Sequence, residues 1–347
     1  MSVYWSSFAG RCAVPLFSLL LLSCTPADPI QRFSGPAQGS TYNISYWSEQ
    51  EISARELQQQ IVAELDRIDL VMSNYRPDSV IEQFNATQQT AAQQVGPELV
   101  ALIEDARTVN VASQGCYDLT VKPLFELWGF KADQFNQPTA EQITQTMQLV
   151  GMDKISTSAE GGMSKAVAQM RVDVSSIAQG YTVRQLAAIM EKAGVTDYLV
   201  EVGGELQVRG KKPAGQPWKV AIEKPLPGDQ RLQKIIEVQQ DEPLAIMTSG
   251  TYRHYFDANG QRFSHVLDAR AGAPVRHNTV STTVLVDNAT FGDAWSTAML
   301  CLGTADGLKV ADQLGLKVLF IDQEGDSLVE TSSQALRQSQ SVRLLKQ

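Results

Sequence analysis

The sequence predicts an α+β fold in which mixed β-sheets are flanked by helices, and three observations carry that prediction. Helical periodicity and strand alternation succeed one another without a fixed period, which excludes a repeat array. The pair Gly203-Gly204 sits between short alternating runs and marks a tight antiparallel turn. No glycine fingerprint of the Rossmann or P-loop kind is present. The 347 residues, 43% of them hydrophobic and 19% charged, supply enough apolar side chains for a sizeable core in one or two domains.

Taken in order, Cys12 to Leu22 is a short apolar run behind Arg11, too short for a stable membrane anchor and the right length for a secretory leader. It ends in Leu21-Leu22-Ser23-Cys24, which resembles a bacterial lipobox with Cys24 as the lipidated residue; a plain leader with an incidental cysteine is the alternative. Thr25 after Cys24 resembles lipoproteins sorted to an outer membrane, an inner membrane being the other destination. The expected organisation is therefore a signal peptide over 1–23, a tether over 24–34 and a body over 35–347, exported and facing the periplasm. Such a mature chain keeps only Cys116 and Cys301, read as two small buried residues, with a bridge open to them in an oxidising compartment.

In the body, Tyr42 to Trp47 alternates like a strand after a Gly35–Ser40 loop, and a helix follows with Ser53 as cap, Glu56 completing a capping box, and Leu57, Ile61, Leu65 and Ile68 as its apolar stripe. Gln88 to Gln94 reads as a polar surface connection, and Pro97 opens a second helix through Leu99, Ile103 and Ala106. Tyr117 to Phe130 reads as an irregular packed segment. A strand at Arg171 to Val174, a loop to Gly180, a helix at Thr182 to Ala193 and a strand at Tyr198 to Val202 form an expected strand-helix-strand unit. Further strands are expected at Gln207–Arg209, Trp218–Glu223, Ile235–Val238, Thr279–Val286 and Leu316–Ile321, with helices at Ala289–Leu302 and Ala305–Leu314.

A net charge of -9 provides no basic surplus to displace counterions, so nucleic acid is excluded as a non-specific partner. The densest chemistry lies from Thr248 to Gly303, which holds all three histidines, His254, His265 and His277. A helix there places Asp293 and Thr297 on one face, an arrangement that suits a hard cation and points to a phosphate ester as substrate. His265 is the candidate general base, because histidine accepts and returns protons near neutral pH. His254 and His277 read as structural, and histidine spacings of 11 and 12 do not resemble the short spacing of a zinc site.

Four separated segments resemble the FAD:protein FMN transferase, or ApbE, family. They are Gly35-Pro36-Ala37-Gln38-Gly39-Ser40-Thr41-Tyr42, Met72-Ser73-Asn74-Tyr75-Arg76-Pro77-Asp78-Ser79, Asp173-Val174-Ser175-Ser176-Ile177-Ala178-Gln179-Gly180-Tyr181, and the window containing Ser264-His265-Val266-Leu267-Asp268 and Gly292-Asp293-Ala294-Trp295-Ser296-Thr297. Tyr117 to Val121, Leu127 to Phe130, Tyr198 to Glu205 and Thr248 to Arg253 match as well.

The resemblance implies an ApbE-like fold and a covalent flavinylation, in which FAD is cleaved at its pyrophosphate, FMN passes to a Thr or Ser hydroxyl of an acceptor protein, and AMP leaves. The implied acceptors are subunits of membrane redox complexes. Mg2+ is the implied metal, held by Asp293, Ser296, Thr297 and the loop around Ser176. The implied flavin contacts are Gln38, Tyr75, Cys116, Tyr117, Asp118, Asp173, Gln179 and Leu267, with Tyr75 and Tyr117 stacking on planar rings. Three residues depart from the family pattern: Gln38 stands for a usual methionine, Cys116 for a common alanine and Gln179 for a usual lysine or glutamate. Asp268 either orients the His265 ring or caps its turn. A periplasmic FAD pyrophosphatase and a non-catalytic flavin-binding lipoprotein are the competing readings.

Overall fold

A computed structural model describes residues 29–345 apart from 227, 229, 230, 253 and 259. The leader, Cys24, Thr25 and most of the expected tether lie outside the described residues. The centre is an eight-stranded sheet of β1 (Gln31–Ala37), β2 (Ser40–Trp47), β3 (Asp197–Val202), β4 (Glu205–Arg209), β5 (Leu244–Gly250), β6 (Thr279–Val286), β7 (Lys317–Glu324) and β8 (Ser327–Ser332). These strands lie side by side in chain order, and each neighbouring pair is antiparallel. The α+β class holds, while the parallel pairs of a mixed sheet are not found among the described strands.

Among the described residues eight α-helices follow the order α1 (Ala54–Met72), α2 (Val80–Ala86), α3 (Pro97–Ala112), α4 (Lys122–Leu127), α5 (Ala140–Met147), α6 (Ser175–Lys192), α7 (Ala289–Leu314) and α8 (Gln334–Arg337). The expected stripe of α1 buries Leu57, Ile61 and Leu65 against Tyr42, Ile44 and Tyr46 of β2 and against Val183, Leu186 and Met190 of α6, while Ile68 joins the cluster of Phe84 and Leu99. Ser53 caps this helix by accepting from the Glu56 backbone N–H at 3.3 Å, a contact that typically stabilises a helix by about 1 kcal/mol. Helices α1, α3, α6 and α7 thus cover one face of the sheet. A three-stranded sheet of Lys219–Glu223, Leu232–Val238 and Val342–Leu345 covers the other, burying Trp218, Val220 and Ile236 on Val208, Ile246 and Leu319.

Several expectations are corrected. Gln31–Ala37 is a strand paired with β2, so residues 31–34 are sheet rather than tether, and only Gln38-Gly39 remains as the hairpin turn. Arg171–Val174 is not a strand, because no strand edge is beside it. Its polar backbone groups are met by side chains and one loop carbonyl: Asn85 bonds both Val172 N (2.7 Å) and Val172 O (2.8 Å), Asn74 accepts from Val174 N (3.0 Å), and Leu119 O accepts from Asp173 N (2.7 Å). The following helix starts at Ser175, seven residues ahead of the expected Thr182, with Gly180 inside it. The two helices expected after Ala289 are one α-helical element broken at Gly303 (φ 71°, ψ 173°), a conformation only glycine adopts freely.

Candidate functional site

A cavity of about 390 Å³ opens where the carboxyl end of β5 meets the first turns of α6 and α7. Its wall contains Gln38, Tyr75, Cys116, Tyr117, Asp118, Asp173, Ser176, Gln179, His265, Leu267, Asp293 and Thr297. Residues more than 250 positions apart in the chain are therefore neighbours. Of the residues singled out in the sequence, Ser296 does not line it. Its hydroxyl is fully buried, donates back to Asp293 O at 2.9 Å and meets Ser249 Oγ at 2.7 Å, so it supports the wall from behind. Ser249 lines the cavity and also reaches Thr297 Oγ1 at 3.1 Å. It was missed as a site residue, and its only signal was its place in the Thr248–Arg253 match.

Asp293, Thr297 and Cys301 follow one another at four-residue intervals and present one face of α7 to the cavity. Asp293 is 4% exposed, and its Oδ2 accepts from Gly180 N at 2.7 Å. Burial pushes its carboxyl up to about 7, and the Gly180 hydrogen bond pulls partly against that. The contact exists because α6 and α7 cross at Gly180. A Cβ there would lie 2.3 Å from Ala289 O and 2.5 Å from Asp293 Cβ. Since a backbone oxygen cannot swing aside, Gly180→Ala is expected to part the helices and cost about 1–3 kcal/mol of stability, read as a lower urea midpoint. An unchanged midpoint would show that the crossing tolerates a methyl group.

Gln38 occupies the β1–β2 turn with φ 48°, a left-handed conformation that is uncommon outside glycine. Its Nε2 donates to Thr182 Oγ1 at 2.8 Å, while its Oε1 is buried with no hydrogen-bond partner. Tyr75 is 90% exposed at the rim, held there by Asn74, whose side chain bonds the Val172–Val174 segment. Tyr117 is only 3% exposed, with its hydroxyl accepting from Ser176 Oγ at 3.2 Å; burial raises its phenol. Of the two tyrosines expected to stack, Tyr75 alone has an open ring face.

Asp118 lines the cavity and also caps the turn that follows it. Its Oδ1 accepts from Thr120 N and Thr120 Oγ1, and its Oδ2 from Met152 N at 3.0 Å and Asn110 Nδ2 at 3.3 Å, so the carboxylate is held in place at the wall. Asp173 Oδ1 accepts from Ser175 N at 2.9 Å and begins α6. Gln179 packs over Gly203, whose missing side chain makes its room.

His265 stands beyond the hairpin of Tyr255–Ala258 and Gln261–Ser264, which is seated on the turn after α4 by Trp128–Phe263 and Phe130–Phe256 ring contacts at 5.9 and 5.0 Å. Its Nδ1 lies 2.8 Å from the His254 carbonyl. A carbonyl only accepts, so Nδ1 carries a proton, which in the neutral form of the ring puts the lone pair on Nε2. Asp268 does not orient this ring. It caps its own turn by accepting from Arg270 N at 2.9 Å and pairs with the Arg270 guanidinium at 2.8 Å. His277 is structural, bonded to Cys301 O and Thr279 N at 3.2 Å each and filling the space beside Gly303.

Cys116 and Cys301, expected as separate buried residues, form a disulfide with Cα atoms 6.0 Å apart. A separation of 185 residues gave no sign of this contact, which only the folding of α7 against the α3 end creates.

Comparison with known proteins places this geometry among flavin transferases. The ApbE family matches residues 38–320. The chain is 34% identical over 338 residues to the FAD:protein FMN transferase of Haemophilus influenzae, covering 95% of this chain and 96% of that one. It is similar to the crystallised flavinyl transferase ApbE of Pseudomonas stutzeri, with 36% identity, a TM-score of 0.80 and coverage of 89% and 96% of the two chains. Likewise it resembles the flavin transferase ApbE of Vibrio cholerae, with 33% identity, a TM-score of 0.80 and coverage of 89% and 99%.

Proposed function

The chain belongs to the ApbE family, and on that premise we propose that it transfers FMN from FAD to a Thr or Ser hydroxyl of an acceptor protein with the help of Mg2+, releasing AMP. The observation that carries the metal is the sign of the cavity. Asp69, Asp118, Asp173, Glu205 and Asp293 line it, and no lysine or arginine does among the described residues. A pyrophosphate charge 4 Å from one such carboxylate is opposed by about 4 kcal/mol at an effective dielectric of 20. A hard divalent cation between them reverses that sign, and the donors present suit it: the Asp293 carboxylate, Thr297 Oγ1 and the main-chain carbonyl of Ser176 are all oxygen. Gly180 N, which a regular helix directs at that carbonyl, here also reaches Asp293, so the carbonyl keeps accepting capacity. When bound, Mg2+ supplies Lewis-acid polarisation of the pyrophosphate.

The chain's own residues do the rest. The open face of Tyr75 stacks on a ring of FAD, and the orphaned Gln38 Oε1 takes a ligand N–H. His265 Nε2 accepts the proton of the acceptor hydroxyl as its oxygen bonds to the FMN phosphorus and the bond to AMP breaks. The acceptor is a domain of a membrane redox-complex subunit, and the body reaches it from a lipid anchor on Cys24 at the periplasmic face. The apolar run ending in Leu21-Leu22-Ser23-Cys24 supports that placement.

Mass spectrometry tests the reaction. A Thr-containing acceptor domain incubated with the protein, FAD and Mg2+ is expected to gain the mass of one FMN for each AMP released, and to gain nothing when the metal is chelated. Release of free FMN with the acceptor left unlabelled would instead establish hydrolysis.

A further inference from the structure

We propose that the Cys116–Cys301 disulfide is a redox-sensitive strap of the flavin cavity, which holds two of its walls together when oxidised and lets them part when an external dithiol reduces it. The inference rests on the transferase reading for its assay and on three structural facts for its content. First, the bridge is part of the cavity wall rather than of a distant core. Cys301 is the third member of the row Asp293, Thr297, Cys301, so it fixes the far end of the α7 face that lines the cavity. Cys116 directly precedes Tyr117, whose hydroxyl meets Ser176, so it fixes the wall beside α6.

Second, both anchors lie at irregularities of the backbone. Cys116 follows Gln114 (φ 56°) and Gly115 (φ 79°), two left-handed residues that turn the chain away from α3. Cys301 lies two residues ahead of the break at Gly303, where α7 loses its helical geometry. His277 braces the Cys301 carbonyl and Ala269 N donates to Cys116 O, but no backbone hydrogen bond among the described residues joins the Cys116 turn to α7, which leaves the bridge as the direct tie between them.

Third, the bridge belongs to a small buried cluster of Cys116, Val266, Leu300, Cys301 and Leu302, separate from the large clusters that pack the helices on the sheet. Breaking it therefore loosens the cavity while the main cores stay closed. The step balances as two electrons and two protons from the dithiol, which becomes a disulfide itself while each cysteine gains one thiol hydrogen. No atom of the bridge takes part in phosphoryl transfer, and Asp293 and Thr297 stay held by Gly180 N and Ser249 Oγ without it, so the effect falls on FAD capture rather than on the chemical step.

The test uses the full chain before and after treatment with dithiothreitol. Reduction, counted as two new thiols per chain, is expected to raise the KM for FAD at least fivefold, to leave kcat within twofold and to reverse on reoxidation. The double variant Cys116→Ala/Cys301→Ala is expected to start at the raised KM and to ignore the dithiol. A KM rise below fivefold, a bridge that resists reduction, a lost melting transition in the reduced protein, or a double variant that still responds would each overturn the proposal. Failure of the transferase reading would show separately, as no FMN transfer by the oxidised protein.

Discussion

Asp293→Asn is expected to lower Mg2+-dependent FMN transfer at least about a hundredfold, the scale on which metal sites fail when their ligands are disturbed, and at the same time to raise the melting temperature of the FAD-free protein at pH 8. The two effects share one cause. Asparagine still accepts the Gly180 N–H, so the α6–α7 crossing is kept, but it has no charge for a cation or for burial to oppose. In the folded chain the carboxyl is raised from 3.8 to about 7. Between these two pH values the unfolded chain has released its proton and the folded one holds it. Stability therefore falls as pH rises through that window, and the whole penalty, of the order of a few kcal/mol, is present above about pH 7. The variant escapes that penalty. Metal binding needs the deprotonated carboxylate, so in the unmodified protein the half-saturating Mg2+ concentration is expected to fall up to about tenfold per pH unit below pH 7 and to level off above it. A flat Mg2+ dependence from pH 5.5 to 8 would remove Asp293 from the metal, and an unchanged melting temperature would remove the burial argument.

The second large effect concerns His265. His265→Asn is expected to reduce kcat by about 10²–10⁴, the usual contribution of a positioned general base, with the KM for FAD changed less than threefold. The asparagine amide can donate to the His254 carbonyl as Nδ1–H does, so the loop keeps that anchor while the Nε2 lone pair is lost. Single-turnover release of AMP in the presence of acceptor reads this step directly. A variant that retains kcat within tenfold would assign proton acceptance to another group of the cavity.

How much of this site could be read from the chain depended on the range of the interactions involved. The α1 stripe from Leu57 to Ile68 and the bounds of the Thr279–Val286 strand follow from local period and appear in the fold as expected. Arg171–Val174 was misread for the same reason. Its apolar alternation is real, yet the side chains of Asn74 and Asn85, nearly a hundred residues away, take the place of a neighbouring strand. The start of α6 was misplaced because Gly180, locally a helix breaker, is required inside the helix by the backbone of α7.

The window from Thr248 to Gly303 followed the same division. Residue types alone put His265, Asp293 and Thr297 forward, because few side chains can take a proton near neutral pH or ligate a hard cation. Their neighbours in the chain could not say which hydroxyl faces the cavity. Ser296 and Thr297 are adjacent, and a 100° step around α7 turns one behind the wall and the other into it. The sequence by itself therefore determined the class of fold, the family and the chemical repertoire of the site, since these rest on local periodicity and on residue identity. The tertiary structure alone decided the Cys116–Cys301 bridge, the burial that raises the Asp293 carboxyl and the tautomer of His265, because each depends on contacts between segments whose separation along the chain carries no information about their distance in space.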